Sequence, residues 1–259
     1  MNFRSTFGVL CGALLAAGSL GIAQAQAGGR LLLTGTDGWE FHGDNSYAQQ
    51  VANILGSNIA FLNDYGVSGA SVVAGVNVFG IATLPASLAG FTGINIASPG
   101  TCCSDPMDDP GMGIAANIST LINFRAAGGN ISISDFAGRP DWAPLLGFNP
   151  SAGILSGEGN AGCSDPGVST TAGIAAGFTG QGGSGTYYDG CFTHQVLSKT
   201  FFAAYGYTSL VDDGSNSYGP DGSVVLSSGG VPEPSAWALM LTGFGLGGMA
   251  LRSRRRAVA

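Results

Sequence analysis

The chain has 259 residues, 45 of them glycine, with nine basic and sixteen acidic side chains and a formal charge of −7. The charge is uneven: residues 28–230 hold four basic residues (Arg30, Arg125, Arg139, Lys199) against fifteen acidic ones, a net −11, and the other five arginines sit at the ends. So acidic a body repels phosphate backbones and anionic lipid, which excludes nucleic acid as a partner and favours divalent cations or neutral partners such as polysaccharide.

The first 27 residues carry one basic residue, Arg4, an apolar run from Phe7 to Ala23, and small residues at Ala23-Gln24-Ala25 and Ala25-Gln26-Ala27. That is the layout of a cleavable secretory signal peptide, so residues 1–27 are set apart from the fold. The exported body then spans 28–229, long enough for one domain with a sizeable core. Arg30-Leu-Leu-Leu-Thr34 reads as a buried first strand. Ser46-x-x-Gln49 reads as a capping box, followed by Tyr47, Val51, Ile54, Leu55 and Leu62 at helical spacing, with Gly66 as the stop. Val72–Phe79 and Ile94–Ala97 read as the next two strands.

A repeat follows. Cys103–Ala116 (CSDPMDDPGMGIAA) and Cys163–Ala176 (CSDPGVSTTAGIAA) share CSDP and GIAA at the same spacing, 60 residues apart. Each copy reads as a loop tied by a cysteine that leads into a helix start, hence as scaffold. Asp108 and Asp109 of the first copy have no counterpart in the second. Outside the signal there are four cysteines, Cys102, Cys103, Cys163 and Cys191. In an exported domain these predict disulfides, with three possible connectivities. A Cys102–Cys103 bond would be strained, so each is expected to join Cys163 or Cys191. Ile114, Ile118, Leu121, Ile122 and Ala126 mark a helix face, Gly128-Gly129 stops it, and Ile131–Asp135 alternates as a strand. Later segments are less clearly patterned: a short turn or helix at Trp142–Phe148, a helix or loop at Ala172–Phe178, a loop at Gly180–Gly185, apolar residues over Gln195–Tyr207, and a last strand near Ser223–Leu226.

Residues 230–259 form a third region. Val231-Pro232-Glu233-Pro234 precedes seventeen uncharged residues, Ser235–Leu251, then Arg252, Arg254, Arg255 and Arg256. Seventeen residues reach the lower limit for spanning a bilayer, and the arginines would stay cytoplasmic. The three parts in this order resemble the PEP-CTERM sorting signal of Gram-negative bacteria. The resemblance implies recognition of the Pro-Glu-Pro by an exosortase, transient insertion in the inner membrane, removal of the tail, and delivery to the cell envelope or extracellular matrix. A permanent anchor is the alternative use of the same segment.

Strand–helix–strand followed by helix–strand predicts an α/β fold: a single open, mostly parallel sheet flanked by helices, with a β-sandwich as the alternative. The order resembles flavodoxin-like and class I amidotransferase-like domains. The LLLTG-x-D…FH run and the late Thr193-His194 resemble exported proteins that pair such a domain with a PEP-CTERM tail. In open α/β sheets ligands sit at the carboxyl ends of the strands. That places Asp37, Glu40, His42, Asp44, Asp105, Asp108, Asp109 and Asp135 on one rim. Asp37, Asp105, Asp108, Asp109 and Asp135 are the expected ligands of a hard cation such as calcium, set against the plainer reading that these residues cap turns. No G-x-S-x-G or G-x-C-x-G motif is present, and His42 and His194 are the only histidines. No catalytic residue is assigned. The reading is a non-catalytic exported matrix or envelope protein that binds a cation or polysaccharide. The rivals are an exported cation-assisted hydrolase using His42, His194 and the rim acids, and a self-associating structural protein.

Overall fold

A computed structural model describes residues 28–36, 38–39, 44–62, 73–80, 84–97, 110–134 (110–115 by backbone), 143–156, 166–187, 193–215 and 218–229. The first half builds five parallel strands: β1 (Leu31–Thr34), β2 (Ile59–Leu62), β3 (Val76–Phe79), β4 (Gly93–Ala97) and β5 (Asn130–Ser134), side by side as β3-β2-β4-β5-β1. The second half adds β6 (Ile154–Ser156), β7 (Gly167–Ser169), β8 (Thr186–Tyr187), β9 (Val196–Ser198), β10 (Tyr207–Asp213) and β11 (Gly222–Ser228), all paired antiparallel. β11 pairs with β1, so the two halves form one continuous sheet. The expected α/β open sheet is present. It is mixed rather than mostly parallel, because every pair that involves a strand of the second half is antiparallel, including the long-range pair between β1 and β11. Helices cover both faces of this single sheet, which answers the β-sandwich alternative.

Alternation along the buried strands sends side chains to two cores. Leu31 and Leu33 join Ile94, Ile96, Ile131 and Ile133 on one face, covered by α2 (Pro110–Ala126), α3 (Ala143–Leu146) and α5 (Lys199–Ala203). Leu32 joins Phe61, Val211 and Val225 on the other, covered by α1 (Asn45–Leu55) and α4 (Thr171–Ala175). β1 to β2 crosses over β5 and β4 through α1, which packs on both, and Asn130 Nδ2 donates to the Ile54 carbonyl at 3.0 Å where the helix ends.

Several local expectations shift. The cap of α1 is Asp44, whose carboxylate accepts from the Ser46 and Tyr47 amides, both at 2.9 Å. Gln49 turns outward to Asn53, and Ser46 accepts from Gln50 at 3.0 Å. The helix ends at Gly56 (φ 106°), well before Gly66, and Ile59–Leu62 is a fully buried strand instead of a further helical turn. Both GIAA segments are helical, Gly113–Ala116 inside α2 and Gly173–Ala175 inside α4 with Ala176 as its cap. The two helices lie on opposite faces of the sheet, and Cys103–Pro106 and Cys163–Asp165 lie outside the described residues. No described helix is long and apolar enough to cross a membrane, and residues 230–259 lie outside the described residues.

Candidate functional site

The three neighbouring strands β4, β5 and β1 end at Ala97, Ser134 and Thr34. Beyond β1 the chain crosses to α1 on one face, whereas the segments after β4 and β5 lead to α2 and α3 on the other. Where connections part to opposite faces in this way, open α/β sheets hold ligands at the carboxyl edge.

What lines that edge is polar and buried. The register sets Leu32 beside Ser132, Ser132 beside Asn95, and Thr34 beside Ser134 beside Ala97. By alternation these side chains share the α1 face, so a polar row (Asn95, Ser132, Ser134, Thr34) continues the apolar patch under the helix. All four are at most 1 % exposed. Ser134 Oγ donates to Asn95 Oδ1 at 3.2 Å and Thr34 Oγ1 to the Ile133 carbonyl at 3.2 Å.

Just past β1 the backbone makes its closest approach. Gly35 N donates to the Val224 carbonyl at 2.7 Å, and the Gly35 carbonyl accepts from His194 N at 2.8 Å and Gln195 N at 3.0 Å. A Cβ at Gly35 would stand 2.1 Å from the Gln195 carbonyl oxygen, so only glycine fits. This clamp sets Thr36 opposite Thr193 in an isolated antiparallel bridge, which puts both side chains on the same side. Among the described residues, Thr36 Oγ1, Thr193 Oγ1, Gln195 Oε1 and Ser132 Oγ are buried without a hydrogen-bond partner. Native proteins pair the large majority of such atoms; Thr36, Thr193 and Gln195 lie just past β1, and Ser132 lies inside β5 opposite Leu32. His194 is buried beside them at 4 % exposure.

The acids expected at this rim divide into two groups. Asp44 is committed to the fold: one oxygen caps α1 and the other accepts from Gln181 Nε2 at 3.0 Å. Asp37, Asp105, Asp108, Asp109, Asp135, Glu40 and His42 lie outside the described residues, as do Cys102, Cys103, Cys163 and Cys191 and the tail residues Val231, Pro232, Glu233, Pro234, Arg252, Arg254, Arg255 and Arg256. Among the described residues no group of three or more His, Cys, Asp or Glu could hold a metal. The described edge is therefore hydroxyl- and amide-rich with one imidazole. It can donate to and accept from an uncharged polar group, and it offers an ionisable side chain only at His194.

Sequence reasoning did not reach Thr36, Asn95, Ser132, Ser134 or Gln195. The available signal was a polar residue at alternate positions of a strand with apolar flanks, as in GINIA and NISIS, which reads equally well as a strand with one wet face. No family model, curated protein or solved structure matches the chain.

Proposed function

We propose that this chain is an exported cell-envelope or extracellular-matrix protein that an exosortase sorts through its PEP-CTERM-like tail, and that its body is a non-catalytic binding domain for a cation or polysaccharide. The observation that carries the sorting half is the ordered set Val231-Pro232-Glu233-Pro234, a seventeen-residue uncharged span and the arginines 252, 254, 255 and 256, behind an N-terminal signal-peptide pattern. The buried neutral polar edge at the carboxyl ends of β4, β5 and β1 supports the binding half. Asp135 follows Ser134 directly and Asp37 stands three residues beyond Thr34 in the chain, so carboxylates would be at hand for a cation.

The test is expression of the full chain, tagged at its C-terminus, in a Gram-negative host with and without its exosortase. Sorting predicts loss of the tag only when the enzyme is present, and retention when Glu233→Ala is introduced. A tag retained in both hosts sinks the sorting reading in favour of a permanent anchor. A second reading, a cation-assisted hydrolase, is favoured by one observation: a buried histidine, His194, at the strand edge. It requires hydrolytic activity that calcium restores after chelation and that His194→Gln abolishes.

A further inference from the structure

An open cavity lies at the opposite end of the parallel strands. It measures 680 Å³, faces solvent broadly, and is bounded by the residues leading into β4 and β5 together with the last turns of α2. This size falls inside the range of about 300–1,000 Å³ usual for small-molecule sites. None of its twelve lining residues is charged, in a body of net charge −11.

Two aromatic rings form its walls. Phe91 is held edge-on by Phe79 at 5.9 Å between ring centroids. The Phe124 ring lies against the backbone at Gly129, where an added Cβ would come within 2.3 Å of it, so a glycine is needed to seat the ring there. Beside them, Thr120 and Asn123 are exposed on α2, and their side-chain polar groups are not engaged by any described residue. Gly90 and Gly128, both at positive φ, leave the mouth open, with nothing within 4 Å of where a Cβ would stand.

We infer that this cavity is a binding site for a neutral glycan segment. The C–H face of a pyranose is apolar and lies well on the negative face of an aromatic ring. Its hydroxyls need both donors and acceptors, which an amide and a hydroxyl supply. A lining without charge has nothing to hold phosphate, carboxylate or ammonium, and the acidic body repels anionic glycans. The inference rests on the exported, matrix-facing reading for its biological sense, while the site stands on its own residues. It is also separate from the polar carboxyl edge, since the two sit at opposite ends of the same strands.

The full-length chain, purified in detergent, would be titrated with cellohexaose, maltohexaose, laminarihexaose and chitohexaose, with hexagalacturonate as the anionic control. Saturation-transfer NMR detects contact and calorimetry gives affinity. At least one neutral hexaose is expected to bind with a Kd below about 1 mM, and the anionic one at least about tenfold more weakly. Thr120→Trp, which fills the cavity, and Asn123→Ala, which removes the amide donor and acceptor, should each weaken binding about tenfold or more without lowering the melting temperature. Both positions are exposed, so neither change disturbs the core. The inference is overturned if no neutral hexaose binds, if hexagalacturonate binds equally well, or if both variants bind as the parent does. Failure of sorting would show as tag retention in the cellular assay and would leave these titrations unchanged.

Discussion

Gly35 has an ordinary backbone conformation, yet it tolerates no side chain, because the Gln195 carbonyl occupies the space a Cβ would need. Its amide and carbonyl together make three hydrogen bonds that fix the Thr36–Thr193 pair. Gly35→Ala must push β1 away from the 193–195 segment, an overpacking cost of about 3 kcal/mol that thermal unfolding would read as a large drop in Tm. Two other residues contribute to the pH dependence of stability. Asp221 is partly desolvated, which would raise its pKa, but the Ser198 hydroxyl at 2.5 Å, the Thr200 hydroxyl and amide, and the nearby Lys199 charge outweigh this and hold its carboxyl below the usual range. A depressed carboxylate pKa stabilises above the unfolded value and is lost as pH falls through the folded one. The contribution should therefore disappear below about pH 4, and Asp221→Asn should remove that acid-side slope in urea titrations. Tyr207 behaves oppositely. Burial pushes its pKa up to about 12, only partly offset by Arg125, and its hydroxyl has no hydrogen-bond partner among the described residues; burial pushes Tyr187 up to about 12 as well. Stability is then intact below about pH 10 and falls as pH rises towards 12, by at most about 1.4 kcal/mol per pH unit. Tyr207→Phe should be neutral or slightly stabilising at pH 7 and should remove only its share of that alkaline decline, the rest belonging to Tyr187; an unchanged decline would mean that Tyr207 contributes nothing to it.

Elements are joined here by a few long side chains, and Arg125 is the clearest. From the end of α2 it donates to the Gly29 carbonyl before β1 at 3.1 Å, the Leu145 carbonyl of α3 at 3.3 Å and Ser228 Oγ of β11 at 3.0 Å. Arg125→Met keeps most of the apolar stem but leaves these acceptors with water or nothing, so a loss of about 2–3 kcal/mol is expected in chemical denaturation. A shift within error would show that water replaces the guanidinium fully. The sequence pattern carried α1, α2 and the strands Leu31–Thr34, Gly93–Ala97 and Asn130–Ser134, because each has a regular apolar period and a glycine or polar stop. It failed where two elements run together without a break in hydrophobicity: Leu62 continues the period of α1 while belonging to β2, which only Gly56 separates. It failed again over 195–207, where a three-residue strand and a five-residue helix are each too short to show a period. The polar edge was illegible for a third reason. Whether Ser132 in NISIS meets water or core depends on α1, which is folded over it from eighty residues earlier in the chain.

At the scale of the molecule, the seam between a parallel and an antiparallel half decides how the protein unfolds. β1 pairs with β5 on one side and β11 on the other, and β11 also holds β10 and β9. β1 is therefore the strand that joins the two halves, and both cores receive residues from it, Leu32 on one face and Leu31 and Leu33 on the other. This argues for a single cooperative unit instead of two halves that melt separately. Native-state hydrogen exchange should then find the amides of β1, β5 and β11 opening only with global unfolding. The edge strand β3, paired only with β2 and with Val78 48 % exposed, should open at much lower free energy. Leu33→Ala, at a position with no exposure, should cost about 2–5 kcal/mol. In a cooperative molecule that loss appears equally at Ile94 in the parallel half and at Val211 in the antiparallel half. If Val211 keeps its protection while Ile94 loses it, β1 belongs energetically to the parallel half alone and the continuous sheet is two foldons joined by hydrogen bonds.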